Sequence, residues 1–143
     1  MRTGTGGPTM QGCRRAGVAA AAILALLAGA GCAPDGKAPA DAAQSFHRAL
    51  AASDWASACS MLLEDTRQKA AQEQHSSCED RLQNLQLEDV EAVTGTETYG
   101  RNAMVVFDND TVFLTAARGG WKITAAGCTP EGEAPYTCEV GGK

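Results

Sequence analysis

Aromatic side chains are scarce, at 5% of 143 residues, and histidine occurs only twice, as His47 and His75. Basic residues are scarce as well, 12 Lys and Arg against 17 Asp and Glu. Three of the arginines (Arg2, Arg14, Arg15) and none of the acids precede Cys32, so the chain from Cys32 onward has nine basic residues against 17 acidic, a formal charge of −8. A domain so acidic has no basic footprint for nucleic acid, and anionic lipid repels it. The sequence contains no nucleophile elbow, phosphate loop or HExxH helix, which leaves the common hydrolase, nucleotide-binding and metalloprotease signatures unrepresented. It has no C-x-x-C pair of the kind a structural zinc site uses. Asp108-Asn109-Asp110 lacks the further acidic ligands and the closing glutamate of a calcium loop, so it reads as a turn. No cofactor or metal is expected. The longest apolar run, Val18–Ala28, is 11 residues long and rich in alanine, well short of the roughly 20 that span a bilayer.

That run makes sense as the core of an export signal. An arginine-bearing, acid-free segment precedes it, and small residues, Gly29-Ala30-Gly31, lead to Cys32. Met10 is an alternative start to Met1, because Met10-Gln11-Gly12-Cys13-Arg14-Arg15 is already a complete basic leader; ordinary secretion is expected over the twin-arginine route. Cleavage before Cys32 gives residues 1–31 as a lipoprotein-type signal peptide and a lipid-anchored chain on the extracytoplasmic face of the cell membrane. The rival site, Ala28-Gly29-Ala30, releases a secreted, soluble protein that begins at Gly31. Cysteine parity favours the first. Lipidation of Cys32 leaves Cys59, Cys78, Cys128 and Cys138, an even set for an oxidising compartment. Two or more acyl chains on Cys32 anchor stably.

Residues 32–40, with Pro34, Gly36 and Pro39, read as the lipidated cysteine and a short tether, and residues 41–143 as one domain with one modest core. Ala43, Phe46 and Leu50 fall on one helical face. Ser53-Asp54 is a helix N-cap, since a short side-chain oxygen there accepts a free amide of the next turn, and Trp55, Ala58, Cys59 and Leu62 make the following apolar stripe. Thr66 opens a further helical stretch, and Ser76-Ser77-Cys78-Glu79-Asp80 contains capping-box spacing before Leu82 and Leu85. Arg67–Leu85 fits either one helix or two. After Gln86 the period becomes alternating: strands are expected over Val90–Tyr99, Ala103–Phe107, Thr111–Thr115 and Trp121–Ala125, with turns at Asp108–Asp110 and Arg118–Gly120. The Gly- and Pro-rich stretch from Gly127 to Gly142 reads as a tail loop. Helices followed by antiparallel strands make an α+β domain, with the helices packed on a curved sheet of about four strands.

Local pairing, Cys59–Cys78 and Cys128–Cys138, is the most economical of the three disulfide connectivities. His47 and Asp54 together suggest a general base with its orienting carboxylate, whereas the plainer reading leaves His47 and His75 on helix surfaces. Trp55, Phe113 and Trp121, with Phe107 and Tyr136, either line a ligand pocket or fill the core.

Three segments, Asp54–Cys59, Gly120–Pro130 and Pro135-Tyr136-Thr137-Cys138, resemble a group of small actinobacterial secreted lipoproteins, most of them without an assigned function. The order of helices then strands is similar to that of the NTF2-like (cystatin-like) superfamily, whose bent sheet and helices form a cone. That resemblance implies a fold used by isomerases, dehydratases and many non-catalytic binding domains, so it leaves function open. The Asp/His dyads of the superfamily's enzymes have no matching motif here. The expectation is a non-catalytic cell-envelope binding or interaction module that meets the membrane through its lipid anchor, binds an envelope protein or small ligand, and does not bind nucleic acid. The alternatives are a small isomerase- or hydrolase-type enzyme using His47 and Asp54, and an accessory subunit of a membrane complex. An open polar pocket containing His47 speaks for the enzyme; a cone plugged by Trp55, Phe113 and Trp121 speaks for the binder.

Overall fold

A computed structural model describes residues 36–142 apart from Gln74, Gln86, Glu88, Asp89 and Glu91. The expected export leader, Cys32 and the chain as far as Asp35 lie outside the described residues. Helix α1 runs Lys37–Ala51, so it begins within the stretch expected to be tether. Pro39 is compatible with this because the amides of a helix's first turn have no intrahelical partner to lose. Its inward side carries Ala43, Phe46, His47 and Ala49, all buried.

Asp54 caps α2 (Trp55–Met61) as expected, its Oδ1 accepting the Ser57 N–H at 3.1 Å. Those hydrogen bonds from Ser57 hold the exposed Asp54 carboxyl below its ordinary pKa. The carboxylate is the better acceptor, so this contribution is present above the ordinary carboxyl pKa and is lost as pH falls through the lowered one. Arg67–Leu85 proves to be divided between two helices, α3 (Glu64–Glu73) and α4 (Cys78–Asn84). Between them His75 is exposed at φ 52°, outside helical geometry. Ser77 and Asp80 then form the capping box that starts α4, each side chain accepting from the other's backbone amide.

The strands are β1 (Val93–Tyr99), β2 (Asn102–Phe107), β3 (Thr111–Ala117), β4 (Gly120–Glu131) and β5 (Ala134–Gly141). They form one antiparallel sheet in the order β1-β2-β3-β4-β5, each joined to the next by a short turn. The sheet therefore has five strands rather than about four. The difference lies in the tail, which is the second half of a hairpin. Gly132, at φ 59°, turns the chain between β4 and β5, a conformation that costs glycine little. Pro130 falls where the β4–β5 register shifts, between Thr129 and Glu131, so its missing N–H interrupts little of the ladder. Pro135 is on β5, an edge strand of the sheet.

One core joins the helices to one face of the sheet. Phe46, Ala58, Leu62 and Leu82 meet Val105, Val112, Leu114, Ile123 and Val140, and all are buried. Cys59–Cys78 ties α2 to α4, and Cys128–Cys138 staples β4 to β5 across a register pair whose Cα atoms are 4.0 Å apart. The local connectivity is thus the one formed. No helix among the described residues is long and apolar enough to cross a membrane.

Candidate functional site

Two arrangements bring polar chemistry together, and they lie in different places. The first is inside the core. His47, on the buried side of α1, places Nε2 2.9 Å from Oδ2 of Asp110, and both side chains are less than a tenth exposed. The contact is within ion-pair reach but off the line of a good hydrogen bond, and among the described residues neither atom has another partner. The other carboxylate oxygen, Oδ1, accepts the Cys128 N–H at 2.8 Å, and the Asp110 carbonyl accepts the Phe107 N–H across the β2–β3 turn. Phe46 and Phe107 pack edge-on against the imidazole, with centroids at 5.6 and 4.9 Å. The pair pins α1, the β2–β3 turn and β4 to one another.

The second is an open groove of about 900 Å³, within the size range of small-molecule sites. One wall comes from α3, with Asp65, Thr66 and Lys69, and Leu63 just before it. The opposite wall comes from Phe113, Ala125, Glu131 and the β5 residues Pro135–Cys138. Phe113 stands between the core residues Val112 and Leu114, so strand alternation projects it from the sheet face opposite the core. Tyr136 meets it edge to face, centroids 5.1 Å apart and planes at 75°. Thr66 donates from Oγ1 to the Thr124 carbonyl at 3.2 Å and so fastens α3 to β4. Gly141, at φ 67°, closes the end of the groove; a Cβ there would stand 2.1 Å from the Thr124 carbonyl oxygen.

The residues singled out in the sequence do not gather at one site. His47 is buried rather than surface-facing. Its carboxylate partner is Asp110, not Asp54, because Asp54 is exposed and committed to capping α2. Trp55 and Trp121 are half-buried and pack against the core, whereas Phe113 lines the groove. Fully buried side chains such as Phe46, Leu114 and Ile123 fill the interior instead. The sequence marks Asp110 only as part of a turn. It offers Tyr136 as one of five aromatics for a pocket or the core and as part of the Pro135–Cys138 segment, and it gives Asp65 and Lys69 no motif. The i, i+4 spacing of Asp65 and Lys69 on α3 was the only available signal that both share one side of a helix.

Among the described residues no group of three or more His, Cys, Asp or Glu side chains is placed to hold a metal ion. A smaller hollow of about 280 Å³ borders Glu64, Arg67 and Cys78. There hydrogen bonds from Gln68 and Arg67 hold the Glu64 carboxyl below its ordinary pKa, so its charge is already paired. Compared with known proteins, the chain matches no family model, no curated protein and no solved structure.

Proposed function

We propose that the chain is an exported cell-envelope binding module of NTF2-like type, lipid-anchored at Cys32, whose groove between α3 and β3–β5 holds a ligand without transforming it. The observation that carries this reading is the separation of the two arrangements. The groove is open and of ligand size, and among the described residues its lining includes no histidine and no free thiol, while the His47–Asp110 pair is buried in the core and does not border it. A general base must lie within reach of its substrate, and His47, flanked by Phe46 and Phe107, is not among the residues that line the groove. Export is supported by the two disulfides, which persist in oxidising compartments. The NTF2-like reading rests on four helices followed by an antiparallel meander, the order the resemblance implies.

A fragment screen read by two-dimensional NMR tests the assignment of the site. Hits should shift resonances of Thr66, Phe113, Tyr136 and Thr137 and leave those of His47 and Asp110 in place. Hits that cluster around His47, or turnover of any hit that stops in His47→Gln, would overturn it.

A further inference from the structure

We infer that the groove selects an organic cation with an apolar body, such as an aryl- or alkylammonium compound. This inference rests on the binding reading above and adds the chemistry of the ligand.

Three observations lead there. First, Phe113 and Tyr136 form an edge-to-face pair at the groove, and Tyr136 is 36% exposed, so part of its π-system is open to whatever enters. The face of an aromatic ring carries partial negative charge, and a cation within about 6 Å of its centre is attracted to it. Second, the charged lining is unbalanced. Asp65 on α3 and Glu131 at the end of β4 stand against one ammonium, that of Lys69. All three are exposed, and among the described residues none of these side chains has a hydrogen-bond or ion-pair partner. Asp65 and Lys69 are one helical turn apart yet form no pair, leaving both carboxylates available to an incoming charge. Third, the field of the whole chain acts in the same direction. The formal charge of −8 from Cys32 onward attracts cations to any cleft on the surface and repels anions.

The apolar body follows from the rest of the lining. Leu63, Ala125 and Pro135 offer surface that a bare inorganic ion would leave uncovered. The absence of any three-ligand group among the described residues gives a metal ion no cage in the groove. A ligand that satisfies the whole site places its charge near Tyr136 and the carboxylates and its apolar part along the wall.

The test titrates the folded, disulfide-bonded domain with three probes that share a benzyl group and differ in charge: benzyltrimethylammonium, neutral benzyl alcohol and anionic phenylacetate. Groove resonances report site occupancy. The ammonium probe should bind about tenfold tighter than either of the others, and raising the salt concentration should weaken it. Tyr136→Ala should reduce its affinity by about threefold to thirtyfold, whereas Tyr136→Phe keeps the ring and stays within about twofold of wild type. Asp65→Asn should lower the affinity further while leaving the neutral probe unchanged. Equal or tighter binding of benzyl alcohol or phenylacetate at the groove would overturn the cation inference and leave the binding site standing. No shift at the groove with any of the three would overturn both.

Discussion

Asp110→Ala should cost the domain a large part of its stability. The carboxylate is buried and serves two clients, the Cys128 amide through Oδ1 and the His47 imidazole through Oδ2. Without the carboxylate, His47 Nε2 stays buried and faces no polar atom, and a buried polar group left without a partner costs about 1–3 kcal/mol. A buried amide left without its acceptor costs about 1–3 kcal/mol more. The two losses overlap and do not simply add, but small domains have only about 5–15 kcal/mol in total. Asp110→Asn separates the contributions. The amide oxygen can still accept from Cys128, so the loss should fall to about 1–3 kcal/mol. Urea denaturation of wild type, Asp110→Asn and His47→Leu gives the comparison even if Asp110→Ala does not fold. Joining His47→Leu to Asp110→Asn should cost less than the sum of the two singles, since both break the same contact. Strict additivity, or an Asp110→Asn protein as stable as wild type, would contradict the role given to the pair.

This pair also shows where reading the sequence stops. Asp54 and Ser77 were identifiable as caps because capping chemistry acts within one helical turn. The β2–β3 turn was visible in Asp108-Asn109-Asp110 for the same reason. That the last of these residues folds inward to face His47, 63 positions earlier, depends on α1 crossing the sheet, which no local pattern encodes. The imidazole was equally ambiguous. Phe46, His47 and Ala49 are all buried, so the inward side of α1 is wider than its apolar stripe alone suggests. The groove was less visible still, since it exists only once Thr66 has docked α3 on β4 and β5 has folded back beside it. Prolines made that last strand look like a loop. Pro130 and Pro135 break the alternating pattern in the sequence but sit at a register shift and on an edge strand, where the ladder tolerates them. The disulfide pairing was readable because both bridges are local, separated by 19 and 10 positions.

The second large effect is expected at Cys59–Cys78. Closing a loop of this length lowers the entropy of the unfolded chain by an amount worth about 3 kcal/mol. Both sulfurs are also in the core, with Cys59 2% and Cys78 5% exposed, so the bridge fixes α2 and α4 where they cover the sheet. Cys59→Ala combined with Cys78→Ala should therefore lower the unfolding free energy by about 2–5 kcal/mol. Either single substitution should do worse, because the orphaned thiolate can attack the Cys128–Cys138 bond, forming a mixed disulfide with one of these cysteines and releasing the other as a thiolate. The second bridge closes a shorter loop and staples a hairpin at the margin of the groove. Its removal should perturb Tyr136 and the groove more than the core. Thermal unfolding with and without reductant distinguishes the two bridges. A double variant at 59 and 78 with wild-type stability would show that packing alone holds α2 and α4 in place.

The function proposed for this domain places it outside the cytoplasm, tied to a membrane through Cys32. The intact mass of the protein recovered from its native membrane, read before and after reduction, tests that claim most directly. The account predicts a chain that begins at Cys32, carries acyl groups there, and gains reducible thiols only at Cys59, Cys78, Cys128 and Cys138. A chain that begins at Gly31 with an unmodified Cys32 would contradict the anchor, and four free thiols before reduction would contradict the exported, disulfide-bonded fold itself.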